Sequence, residues 1–147
     1  MRIAVLQGSS QKEKNKMLFN AVQQAAPNAE VINFGVFEDE QDELTYVEAS
    51  FLVGLLLDSG AVDFVVTGCS SGQGMMLACN AWPGVCCGYT PTPQDAFLFG
   101  RINGGNAVSL PLESLTCNTL CRLFSVVSLV AATQLRIACA SKRTLNF

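Results

Sequence analysis

The chain has 147 residues, half of them hydrophobic and 14% charged, which suits one globular domain spanning residues 1–147 and excludes a disordered or solvating tail. A net charge of -3 excludes a basic footprint for nucleic acid. Seven cysteines without paired Cys-x2-Cys spacing, and no histidine, argue against a zinc site or a disulfide framework, so a reduced cytoplasmic protein without metal or cofactor is expected.

In chain order, Arg2–Gln7 reads as a first strand with no basic, apolar leader ahead of it. Lys12–Ala26 reads as a helix with Leu18, Val22 and Ala25 on one face, ended by Pro27-Asn28. Glu30–Phe34 is a second strand. Glu38, Asp39, Glu40, Asp42 and Glu43 form an acidic loop, read as solvated, before the apolar helix Leu44–Asp58 and its stop signal Gly60. Asp63–Thr67 is near-continuously apolar, as a strand inside a parallel sheet should be. A small-residue loop, Gly68–Gly74, leads into a helix over Met75–Ala81, a Pro83-Gly84 turn and a fourth strand, Val85–Tyr89. Thr92-Pro93 has the form of an N-cap and first helical residue, opening a helix over Gln94–Arg101. Asn106–Leu110 is a fifth strand, and a last helical pattern begins near Leu112. The apolar run 123–133 is too short to span a membrane, for which ~20 residues are needed.

Five strand-plus-helix units without repeats predict a three-layer α/β/α sandwich on a five-stranded parallel, Rossmann-like sheet. Ligands bind such sheets beyond the carboxyl ends of the strands, so the loops after strands one, three and four are the ones of interest. The loop after strand three reads Thr67-Gly68-Cys69-Ser70-Ser71-Gly72-Gln73-Gly74. Its small residues allow sharp turns and close approach of a ligand to backbone N–H groups, and the helix that follows offers its positive end to an anion or thiolate. Cys69 is therefore placed to act as base or nucleophile, with a small buried thiol in a tight turn as the plainer alternative. The loop matches neither a P-loop nor a first-turn dinucleotide fingerprint, and Met75 stands where a tyrosine phosphatase would need arginine.

The segment CSSGQGMMLACNAWPGV, residues 69–85, resembles the signature of the ribose-5-phosphate isomerase B and galactose-6-phosphate isomerase family, with Cys69, Gly72, Gly74, Asn80 and Gly84 in register. Gly35, Thr45-Tyr46, Asn103 and Asn106 also fall at family positions, and the likeness covers roughly residues 2–111. It implies aldose–ketose isomerisation of a small sugar phosphate through an enediolate. Cys69 would be the general base, and the backbone of Ser70, Ser71, Gly72, Gln73 and Gly74 would hold the oxyanion. The Ser71 hydroxyl would relay a proton, and Tyr46 and Asn103 would contact the sugar. A neighbouring subunit would complete the pocket, which implies a homodimer with the site at the interface.

Two departures qualify this. Gly8-Ser9-Ser10 stands where the family carries an Asp-His pair, and Ile102 stands where it has a histidine before Asn103. Either the substrate is largely open-chain or other groups open the ring. Phosphate partners are sought among Arg136, Lys142 and Arg143, against the plainer reading of a solvated basic tail; Arg101 is a further candidate with a surface role as its alternative. In the first loop, Ser10, Gln11 and Lys14 face where a ligand would lie, and Ser10 is assigned to substrate. Cys86-Cys87, Met75-Met76 and Trp82 read mainly as packing residues. The competing function is a non-catalytic sugar-phosphate-binding or regulatory subunit of the same fold.

Overall fold

A computed structural model describes residues 1–116. The strands are β1 (Arg2–Gln7), β2 (Glu30–Asn33), β3 (Phe64–Cys69), β4 (Cys87–Tyr89) and β5 (Ala107–Pro111). The helices are α1 (Asn15–Ala25), α2 (Tyr46–Asp58), α3 (Gln73–Asn80) and α4 (Pro93–Ile102). All strand pairs are parallel, in the order β2-β1-β3-β5-β4. This is the three-layer α/β/α arrangement that the alternation of elements predicts.

Period-2 alternation along the central strands sorts their side chains onto two cores. Ile3, Val5, Phe64, Val66, Val108 and Leu110 meet Leu18, Ala21 and Val22 of α1 and Ala96 of α4. Ala4, Leu6, Val65 and Ala107 meet Ala49 and Val53 of α2 and Met75 and Cys79 of α3. The doubly covered strands are the reason that DFVVT reads as one unbroken apolar run.

Several boundaries differ from the sequence expectation. Ser9–Lys14 is a 3-10 turn, kinked at Gln11, and only then does α1 start. Leu44 lies outside α2 because its backbone N–H and carbonyl are both bonded to Ser9, through the hydroxyl at 2.6 Å and the N–H at 2.8 Å. Thr45 is the true N-cap, in a capping box with Glu48. Thr92 and Pro93 open α4 as the pattern predicts. The helical pattern from Leu112 begins instead as a turn through Ser114; positions from 117 onward lie outside the described residues.

The strand order also corrects which loops matter. β4 is an edge strand, and β5 lies against β3. The chain leaving β5, not the loop after β4, therefore flanks the loop that carries Cys69.

Candidate active site

Cys69 is the last residue of β3 and is half-buried, paired in register with Pro111 of β5. The chain leaving β5 closes over its loop: the Leu112 N–H donates to the Cys69 carbonyl at 3.0 Å, and the Glu113 N–H to the Ser70 carbonyl at 3.3 Å. From below, the buried Ser109 hydroxyl donates to the Gly72 carbonyl at 2.6 Å. Gly72, at φ 77°, turns the chain into α3 in a left-handed conformation that favours glycine.

No side chain caps α3, so most N–H groups of its first turn point outward without a capping partner. One is partly met, since the Gln73 N–H donates to the Ser71 hydroxyl at 3.3 Å. The Tyr46 ring lies over Gly74, close enough that a Cβ there would stand 3.4 Å from a ring carbon. From the first loop, the Gln11 side-chain amide donates to the Ser70 hydroxyl at 2.9 Å. Cys69, Ser70, Ser71, Gly72, Gln73, Gly74 and Tyr46 are thus brought together at one end of the sheet.

Other sequence-predicted residues fall elsewhere. Ser10 is exposed and lines, with Ser9, Lys12, Tyr46 and the acidic loop, an adjoining open cavity of about 620 Å³. Asn103 caps the C-terminus of α4 in the turn entering β5. β5 enters the sheet level with Val65 and leaves it level with Cys69, so Asn103 lies at the far end of the sheet from Cys69 in its own chain. Arg101 is exposed on the last turn of α4. Arg136, Lys142 and Arg143 lie outside the described residues.

Sequence reasoning missed Ser109 and passed over Gln11 in favour of Ser10. No local pattern marks Ser109; only the adjacency of β3 and β5 brings it under Gly72. Gln11 reaches Ser70 because the 3-10 turn kinks at that residue. A third omission is the polar set made by buried Gln7 and Asn15 with half-buried Asn33. Asn15 donates to Gln7 at 2.9 Å, Asn33 donates to Asn15 at 2.8 Å, and Gln7 donates to the Val36 carbonyl at 2.8 Å. These bonds fix the start of the acidic loop against β1.

The remaining described thiols are free but differently placed. Cys79 and Cys87 are buried between α3 and the sheet, and the Cys87 thiol is pushed well above its ordinary range, first by its hydrogen bond with Cys79 and then by burial. Asn80 clamps this pair by accepting from the Cys87 N–H at 2.9 Å and donating to its carbonyl at 2.8 Å. Cys86 is exposed. Among the described residues no three His, Cys, Asp or Glu side chains cluster to hold a metal, and no helix is long and apolar enough to cross a membrane.

The sequence model of the Ribose/Galactose Isomerase family matches residues 3–126. Among solved structures, a 4-deoxy-L-threo-5-hexosulose-uronate ketol-isomerase complexed with a tartrate is 36% identical, with a TM-score of 0.83 over 100% of this chain and 78% of that one. A ribose-5-phosphate isomerase from Vibrio parahaemolyticus is 35% identical, with a TM-score of 0.83 over 98% of this chain and 76% of that one. A ribose 5-phosphate isomerase from Thermotoga maritima shares the fold at 21% identity, with a TM-score of 0.76 over 86% of this chain and 84% of that one. No curated protein matches the chain.

Proposed function

The chain belongs to the ribose/galactose isomerase family, and from that premise we propose that it interconverts the aldose and ketose forms of a small phosphorylated sugar, with Cys69 as general base and no metal. The Cys69 thiolate takes the proton from the carbon next to the carbonyl. The electron pair of that C–H bond forms the C=C bond of an enediolate, and negative charge collects on the former carbonyl oxygen. N–H groups at the start of α3 stabilise that oxygen, and the Ser71 hydroxyl relays a proton between the two enediol oxygens. Return of the proton from Cys69 to the other carbon completes the exchange. The observation that carries this reading is the meeting of a half-buried thiol, an uncapped helix N-terminus and the Tyr46 ring on one glycine-rich loop.

The proposed assembly is a homodimer with the site at the interface. Support comes from the apolar residues that α2 and α3 leave exposed, Val47, Phe51, Leu55 and Leu77 among them. The place of Asn103 also supports it, since it can reach a Cys69 only across subunits. Sedimentation should give twice the chain mass.

The test is a panel of four- to six-carbon sugar phosphates, with a uronate included because one relative is a uronate ketol-isomerase. Solvent deuterium should enter the C2 position, and Cys69→Ala should abolish that exchange while leaving the fold intact. Binding without exchange across the whole panel would instead mark a non-catalytic subunit.

A further inference from the structure

Resting on the isomerase reading, we infer that Lys12 holds the acidic group of the substrate, a phosphate or carboxylate at the end of the sugar away from the reacting carbons.

Lys12 stands beside the Cys69 loop and in the cavity next to it. Gln11, the residue before it, donates its side-chain amide to the Ser70 hydroxyl at 2.9 Å, so the first loop rests on the loop that carries the base. Lys12 starts one residue from that contact and lines the open cavity of about 620 Å³ with Ser9, Ser10 and Tyr46. Tyr46 belongs to both places, since its ring also lies over Gly74 at the start of α3. A ligand whose reacting carbons stand at Cys69 therefore has this cavity for its other end.

The setting of the amine suits an anion. The Lys12 side chain is half-buried, and an ammonium has three N–H donors. One goes to the Glu40 backbone carbonyl at 3.2 Å, an uncharged partner that steers the amine without neutralising it. Among the described residues the one salt bridge joins Arg2 to Asp63, and Lys12 takes no part in it. Its charge and two further donors can meet the oxygens of an acidic group, in bonds roughly twice as strong as neutral ones.

Glu40, Asp42 and Glu43 share the cavity wall and oppose an anion there. All three are exposed, so salt screens their reach beyond about 8 Å, and a contact made at the half-buried amine is screened far less. Their carboxylates can in turn accept from sugar hydroxyls. The wall thus favours one orientation: the acidic group at Lys12, hydroxyls toward the acidic loop, and the carbonyl end by Tyr46 and Cys69.

Ribitol 5-phosphate and gluconate probe the contact without turnover, because neither carries an aldehyde or ketone, and ribitol is the neutral control. Calorimetry on the full chain compares the parent with Lys12→Gln and Lys12→Arg. The parent should bind at least one acid probe more tightly than ribitol. Lys12→Gln should weaken that probe roughly tenfold or more, flatten its salt dependence and leave ribitol unchanged, and Lys12→Arg should restore most of the loss. An acid preference that survives in Lys12→Gln assigns the anchor to another cation and overturns the inference. So does a parent that binds neither acid more tightly than ribitol, or a ribitol affinity that falls by the same factor. Deuterium exchange at C2 keeps the two readings apart. An acid preference lost in Lys12→Gln, with no exchange on any sugar by the parent, fails the isomerase reading and leaves the anchor in place.

Discussion

Replacing Gly72 by alanine perturbs the Cys69 loop in two separable ways. At φ 77° an alanine pays for a left-handed conformation, about 1–2 kcal/mol. Its Cβ would also stand 2.8 Å from the Leu110 carbonyl carbon and 2.9 Å from the Pro111 nitrogen. Those are backbone atoms of a strand already held between β3 and β4, so they cannot swing aside as a side chain would, and overpacking of this kind costs about 1–3 kcal/mol. Loss of glycine's freedom in the unfolded chain returns roughly 0.4–1 kcal/mol, leaving a net loss of about 2–4 kcal/mol. Gly84 is the matched control: it too has φ 77°, but a Cβ there meets nothing within 4 Å, so Gly84→Ala should lose only about 1 kcal/mol. Urea and thermal melts followed by far-ultraviolet circular dichroism compare the two. Gly72→Ala should melt roughly 5–15 °C below the parent, and Gly84→Ala only a few degrees below it. Equal losses in the two variants would refute the claim that the β5 backbone shapes this loop.

Asn15→Leu leaves the buried Gln7 amide oxygen without its partner, at about 1–3 kcal/mol, and takes from half-buried Asn33 its bonds to Asn15. The denaturation midpoint should fall accordingly, with protease cutting faster in the acidic loop; an unchanged midpoint would contradict the network. Asp63 accepts from the Arg2 backbone N–H at 2.7 Å, which holds its carboxyl below the usual range despite partial desolvation, with the guanidinium adding to the effect. A depressed folded-state value gives stability that is present above the unfolded value and lost as pH falls through the folded one. Asp63→Asn should therefore be less stable than the parent at neutral pH, the gap closing below about pH 4; a gap independent of pH would refute it. Gly74→Ala should cost little or no stability, because the Cβ meets the Tyr46 ring at 3.4 Å and alanine suits a helix better than glycine, yet it should slow C2 exchange. Unchanged exchange would remove Gly74 from the site.

The strands, the layer arrangement and the glycine loop were legible because each rests on a local signal: alternation, an apolar run, Thr92-Pro93, small residues after a strand. Long-range placement was not legible. Ser109 meets Gly72 across 37 residues and Gln11 meets Ser70 across 59, through a strand order and a backbone kink that no nearby residue announces. Leu44 fits the apolar pattern of α2 but lies outside it, because Ser9 takes both its backbone groups and Thr45 forms the cap. Asn103 shows the opposite limit. Its motif position was readable, but the sheet register puts it at the far end from Cys69.

The same distinction changes what the loop's glycines mean. From sequence, all of them alike allow sharp turns and a ligand's approach to the backbone. In the fold, Gly68 and Gly72 are bare because β5 leaves no room: a Cβ at Gly68 would stand 2.5 Å from the Leu110 carbonyl oxygen, and one at Gly72 2.9 Å from that same atom. Gly74 alone of the three faces open contact distance, under the Tyr46 ring at the start of α3. Two glycines therefore set the shape of the loop, and the third keeps space beside the helix N-terminus. Placing β5 next to β3 is what makes this division possible, since one strand both anchors Gly72 through Ser109 and closes over Cys69 through Leu112. The Cys69 backbone is held by β5 and by the chain that leaves it, so its position depends on the sheet and not on neighbouring side chains. Under the proposed mechanism the base therefore stays where the strands put it, whatever side chains line the loops around it.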